Sequence, residues 1–302
     1  MHALTLPPAL PGERFEFSHP TAGRIGAYAA QESQGLPLLM VHSVHASGAA
    51  SEVRPLFESC RGTRQVFALD LPGYGSSERS DRSYTPRLMC DALHGMVAQI
   101  QARCGPGPVD ALALSLGCEF LARAAVEAPA SFSSVALVSP TGLRGGQRGR
   151  GPAGSTRAVP GLLKALRGPG NRWGGALYRG LTRPGVVRYF LRKTWGSPAI
   201  DETMAAYAVR TAREPGAEYA PLHFLSGGLF SADIHTVYES LTMPVWMSHG
   251  VRGDFTDYRG AAFVQSRPNW RSTVFQTGAL PQFEVAQEFQ SAYEQFLAAA
   301  GR

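Results

Sequence analysis

Five short stretches of this chain are almost continuously apolar. They are "LPLLMVH" (36–42), "QVFALD" (65–70), "VDALAL" (109–114), "SVALVS" (134–139) and "MPVWMSHG" (243–250). A strand with one wet face alternates apolar and polar residues, whereas a strand covered on both faces reads as an unbroken apolar run. Between the runs lie segments of helical period. In "TPRLMCDALHGMVAQIQARC" (85–104), Leu88, Leu93, Val97 and Ile100 share one face behind Pro86 in the first turn. "CEFLARAAVEA" (118–128) and "VAQEFQSAYEQFLAAA" (285–300) also read as helices. Steady alternation of buried strand and helix predicts an α/β fold, a doubly wound and mostly parallel sheet with right-handed crossovers. "RSTVFQTG" (271–278) and short strands at 15–17 and 25–31 add to it.

The rhythm breaks between about 140 and 237. That segment is rich in Gly, Arg, Pro and aromatics, with helical patches "VPGLLKALR", "ALYRGL" and "VVRYFLRKTW". The expected organisation is a core of residues 1–140 and 238–302, with 141–237 a helical, basic cap inserted after the sixth strand. Charge is uneven in the same way. The net charge is +6, yet Leu143 to Ile200 hold no Asp or Glu and twelve Arg or Lys, so the rest of the chain is net negative. A basic lid without a nucleic-acid-binding motif argues against nucleic acid. It fits an anionic surface, an acyl carrier or a carboxylate-bearing ligand. No run of eighteen apolar residues occurs, and the first residues lack the pattern of a secretory signal. The four cysteines lack metal or disulfide spacing, which leads to the expectation of reduced thiols in a cytoplasmic protein with no metal or cofactor.

The strongest chemical motif is Ala113-Leu114-Ser115-Leu116-Gly117, between an apolar strand and a helix. It has the form of a nucleophile elbow, where a sharp turn exposes a serine and residues two before and two after must be small. A helix start behind the serine directs backbone N–H groups toward developing negative charge. Together with "LLMVHSVHAS", "FALDLPGYGSS", "PVWMSHGVRGDFTDY" and "TGALPQFE", this motif makes most of the chain resemble the α/β-hydrolase family. The likeness is weakest at the ends and in 140–237.

The resemblance implies a serine hydrolase acting on an ester or thioester. It implies Ser115 as nucleophile, with the amides of Leu116 and Val44 as oxyanion hole. It implies Asp254 as triad acid, with Asp257 the alternative, and Asp70 as a turn-holding residue. Two positions depart from the family pattern. Ser43 replaces a glycine in the oxyanion loop, and Ala279 stands where the catalytic histidine belongs. A methyl group cannot take a proton, and loss of that histidine elsewhere lowers turnover by about a million-fold. Of the eight histidines, His45 in the oxyanion loop and His249 at the end of the acid-bearing strand are the candidate substitutes. The rival reading is a pseudoenzyme binding a small acyl ligand, or an interaction protein that docks through its basic cap.

Overall fold

The computed structural model describes residues 6–146, 149–168 and 173–301. Eight strands form one sheet: β1 (Glu13–His19), β2 (Gly23–Ala30), β3 (Leu38–Val41), β4 (Val66–Leu69), β5 (Val109–Leu114), β6 (Phe132–Val138), β7 (Val245–Gly250) and β8 (Trp270–Phe275). Their order is β1-β2-β4-β3-β5-β6-β7-β8. The β1–β2 and β2–β4 pairs are antiparallel and every other pair is parallel. The expected doubly wound, mostly parallel sheet is therefore present, and all five apolar runs are strands within it.

Burial on both faces explains why these runs do not alternate. In β5, Ala111 and Ala113 join the apolar cluster on one side of the sheet, while Leu112 and Leu114 join the other. Two helices, α2 (Pro86–Cys104) and α3 (Gly117–Glu127), cover the first side through Met89, Leu93, Val97, Phe120 and Leu121. On the second side lie α1 (Arg54–Cys60) and α11 (Ala286–Ala299), with Phe57, Phe289, Tyr293 and Phe296. The start of α2 is fixed locally. Thr85 accepts a hydrogen bond from the Leu88 amide, and Pro86 occupies the first turn, where no intrahelical donor is needed.

Between β6 and β7 runs a series of helices. They are α4 (Pro160–Arg167), α5 (Trp173–Leu181), α6 (Pro184–Trp195), α7 (Glu202–Thr211), α8 (Tyr219–Leu225) and α9 (Ile234–Glu239). The short α10 (Pro281–Glu284) precedes α11. The insert is not a detached lid. Val187, Leu191 and Trp195, spaced four apart on α6, enter the same apolar cluster as Leu114, Val138 and Leu280. Among the described residues, no helix is long and apolar enough to cross a membrane, and all four cysteines are free.

Trp246 of β7 is the densest aromatic node, with Phe275, Phe289, Tyr293 and Phe296 around its ring. Removing it leaves a cavity that fixed strands cannot close. Trp246→Ala is expected to lower unfolding free energy by about 3–5 kcal/mol, measured by urea denaturation. A loss below about 1 kcal/mol would contradict the packing described.

Candidate active site

At the carboxyl end of β5 the chain turns sharply into α3, and Ser115 sits in that turn. Its φ is +49°, a left-handed conformation that serine rarely adopts. Two contacts impose it. The Ser115 N–H donates to the Val138 carbonyl of β6 at 2.8 Å. Two residues on, Gly117 lies so close to β3 that a Cβ there would collide with the His42 carbonyl oxygen. The glycine of the motif is thus demanded by the neighbouring strand end as well as by the turn. Ser115 is partly exposed, and among the described residues its hydroxyl has no hydrogen-bond partner.

The amides expected to form an oxyanion hole are open. Leu116 and Val44 are almost fully buried, and neither backbone N–H has a hydrogen-bond partner among the described residues. Buried backbone donors are nearly always paired, so two such orphans beside a strained serine stand out. The loop that carries Val44 is held by a buried carboxylate that sequence reading did not single out. Glu52 accepts from the Ser43 amide (3.1 Å), the Ser43 hydroxyl (2.5 Å) and the Ala49 amide (3.3 Å), and it pairs with His45 Nε2 (2.9 Å). Ser43, the departure from the family glycine, therefore anchors the loop through its side chain. His42 closes the other side: its Nε2 accepts from the Leu71 amide at 2.9 Å. Asp70 holds its turn as expected, accepting from Ala50 and Ser76 amides.

Burial alone would raise the Glu52 carboxyl, but His45, His42 and the Ser43 hydroxyl outweigh it and hold the group below its ordinary value.

No histidine takes the base position. Ala279 is buried, its N–H donates to the Thr194 carbonyl of α6 (2.9 Å), and its carbonyl accepts from the Ser139 hydroxyl (2.7 Å). At Gly278 a Cβ would run into the Trp195 carbonyl. The end of α6 leaves carbonyls without intrahelical partners, and the loops after β7 and β8 supply the missing donors. Lys193 O accepts from the Asp254 amide (3.3 Å), just as Thr194 O accepts from Ala279. The space a histidine ring would enter is thus bordered by the last turn of α6.

The candidate acids serve other contacts. Asp254 is exposed and ion-paired with Lys193 (3.4 Å), on the α6 side of its loop. Asp257 accepts from the Arg259 guanidinium (2.9 and 2.8 Å), the Arg259 amide (3.2 Å) and the Gly145 amide (3.3 Å). The Arg259 hydrogen bonds hold its carboxyl far below the usual range. Neither carboxylate bonds to a histidine, so the structure does not assemble the expected acid–base pair.

The candidate bases are likewise engaged. His45 gives Nε2 to Glu52, and its Nδ1 accepts from the Ser47 amide at 3.2 Å. His249 lies against Tyr258, ring centroids 4.0 Å apart, with Nδ1 at 2.9 Å from the Gly250 carbonyl. Burial pushes its pKa down. His223, deep in the insert beside Arg167, is pushed down to about 4, chiefly by burial. His235 Nε2 bonds the Gly142 carbonyl, and His2 lies outside the described residues. No histidine among the described residues is hydrogen-bonded to Ser115.

A second strained serine was not anticipated. Ser139, at the end of β6, has φ +48°, and its amide donates to the Ser248 carbonyl at 2.7 Å. Its hydroxyl ties β6 to Ala279, bracing the base position from below. The only sequence signal was its place after a buried strand, ahead of Pro-Thr-Gly.

Residues 37–162 match the model of the alpha/beta hydrolase fold family. No match was found among curated protein sequences. Three solved structures illustrate the likeness. A serine hydrolase involved in carbazole degradation, the CarC enzyme, is 14% identical; the alignment covers 95% of this chain and 100% of that one, with a TM-score of 0.70. The epoxide hydrolase CorEH is 19% identical over 95% of this chain and 99% of its own, with a TM-score of 0.70. The 2-hydroxy-6-oxo-6-phenylhexa-2,4-dienoate hydrolase of Rhodococcus sp. strain RHA1 is 17% identical over 95% and 99%, with a TM-score of 0.69. At these identities the likeness carries the fold. This chain is an α/β-hydrolase-fold protein.

The electrostatics of the loop around Val44 make a prediction. A folded-state pKa below the unfolded one means that Glu52 stabilises the fold above its unfolded pKa. That contribution is lost as pH falls through the lower, folded value. Glu52→Gln is expected to cost about 3 kcal/mol at pH 7. Urea titrations of both proteins at falling pH should show the difference shrinking below the ordinary carboxylate range. A pH-independent difference would show that the charge of Glu52 is not what holds the loop.

Proposed function

We propose that the chain is a serine hydrolase acting on an ester or thioester through Ser115. The observation that carries this reading is the strained Ser115, whose hydroxyl has no hydrogen-bond partner among the described residues, together with the Leu116 and Val44 amides, which likewise have none among them. Ser115 Oγ attacks the carbonyl carbon, and the π pair moves onto the oxygen, where the two N–H groups hold it. The tetrahedral intermediate expels an aryloxide or thiolate, and water then cleaves the acyl-serine to a carboxylate and free serine. No base among the described residues meets the serine proton, so it passes to water or hydroxide. Such a site favours leaving groups that depart as anions without protonation. Thioesters and aryl esters fit this requirement; alkyl esters and amides do not.

A second reading is favoured by Ala279 and the α6 carbonyls around it. On that reading the same two amides bind an acyl carboxylate without turnover, in a pseudoenzyme. Both readings share the oxyanion site and differ only in chemistry.

The discriminating experiment combines a fluorophosphonate probe with p-nitrophenyl acetate and butyrate hydrolysis. Ser115→Ala should abolish labelling and turnover. The parent should be slow, with a rate rising steadily with pH and no inflection near histidine's pKa. Ala279→His is expected to raise turnover by about a hundredfold or more and to introduce that inflection. A parent protein that labels at no pH, and hydrolyses no faster than Ser115→Ala, sinks the hydrolase reading and leaves the binding one.

A further inference from the structure

The function proposed for Ser115 makes no use of the insert's outer surface, which has an unusual composition. Six of the nine large apolar side chains exposed on the described residues lie in one short stretch: Val159, Leu162, Trp173, Leu177, Tyr189 and Phe190. They project from three successive helices that touch one another, α4 on α5 and α5 on α6. In α6 the division is clean: Val187, Leu191 and Trp195 are buried, while Tyr189, Phe190, Arg192 and Lys193 face out. The same helices carry the acid-free segment of the sequence. Lys164, Arg179, Arg183 and Arg192 are exposed and form no ion pair among the described residues. Phe255, on the loop bound to the end of α6, is exposed as well.

We infer that the outer face of α4–α6 docks on the surface of an anionic lipid membrane. Scattered exposed apolar residues are ordinary on a protein surface, but a local cluster of them marks an interaction site. The chemistry selects the occupant. A folded protein partner could also bury Trp, Tyr, Phe and Arg, but the complete absence of Asp and Glu from Leu143 to Ile200 favours a uniformly anionic surface over a partner of mixed charge. The boundary between lipid headgroups and acyl chains suits both: aromatic rings settle at that depth, and Lys and Arg meet anionic headgroups. Each component alone gives weak attachment, and stable peripheral binding takes two such signals. The placement is independent of Ser115, so a failure of the catalytic reading leaves it standing, and the reverse.

The four tryptophans provide a local reporter. Trp195, Trp246 and Trp270 are buried, and only Trp173 is substantially exposed, at 45%. Intact protein should be mixed with vesicles of phosphatidylcholine alone and with vesicles containing phosphatidylglycerol, over a salt series. The expected result is co-sedimentation with the anionic vesicles, weakened by salt, together with a blue shift of emission that Trp173→Phe removes. Tyr189→Ser/Phe190→Ser is expected to weaken binding by about tenfold or more, and Lys164→Gln/Arg179→Gln/Arg183→Gln by a similar factor. These side chains are exposed, so melting temperatures should stay within a few degrees of the parent, and Ser115→Ala should bind as the parent does. No sedimentation with anionic vesicles at low salt overturns the inference. So does undiminished binding by the Tyr189/Phe190 variant, which would indicate adsorption by charge alone.

Discussion

The contact on which the site depends is the approach of Gly117 to the carbonyl of His42. The parallel sheet brings the ends of β3 and β5 side by side, and the helix that follows β5 must start within contact distance of the loop that follows β3. Only a residue without a side chain fits there. The tight approach forces Ser115 into a left-handed turn and places the amides of Leu116 and Val44 in neighbouring loops, both without partners among the described residues. Strain at one residue and two unsatisfied donors are costs that the large two-faced core offsets, as strained functional sites require.

A second constraint acts at the opposite edge of the same site. In place of a catalytic side chain after β8 there is backbone: the last turn of α6 is capped by amides from the loops after β7 and β8. This fastening accounts for several departures together. It leaves Gly278 no room for a side chain, it draws Asp254 toward Lys193, and it makes the insert part of the core through Val187, Leu191 and Trp195. The turn at Ser115 is kept, while the position expected to hold a histidine is an alanine whose backbone is tied to α6.

The loop after β3 shows how one buried charge can organise a segment. Glu52 gathers the Ser43 amide and hydroxyl, the Ala49 amide and His45 around a carboxylate with almost no solvent access. Its partners are all within ten residues, so the loop is a local network set on a long-range scaffold. His45 is thereby a partner of Glu52, with neither nitrogen left to serve Ser115.

The amino-acid sequence by itself determined the architecture. Continuous apolar runs have one good solution, a sheet covered on both sides, and the spacing of the runs dictated where helices cross over. The sharp turn at Ser115 was legible too, because small residues two before and two after a serine between strand and helix are a local pattern, although the contact of Gly117 with His42 is tertiary. The helical stretch between β6 and β7 was legible as a break in rhythm. What only the tertiary structure decided was the fate of the acids and bases. Asp254, Asp257, His45 and His249 are each chemically able to serve a triad, and their spacing along the chain does not say which neighbour they meet. Their partners are Lys193, Arg259, Glu52 and Tyr258. Two of these lie close in sequence, one is nine residues away, and Lys193 is far away on the insert. Glu52 and Ser139 were missed for the same reason: a lone glutamate or serine has no motif, and its role exists only once packing has removed the water around it.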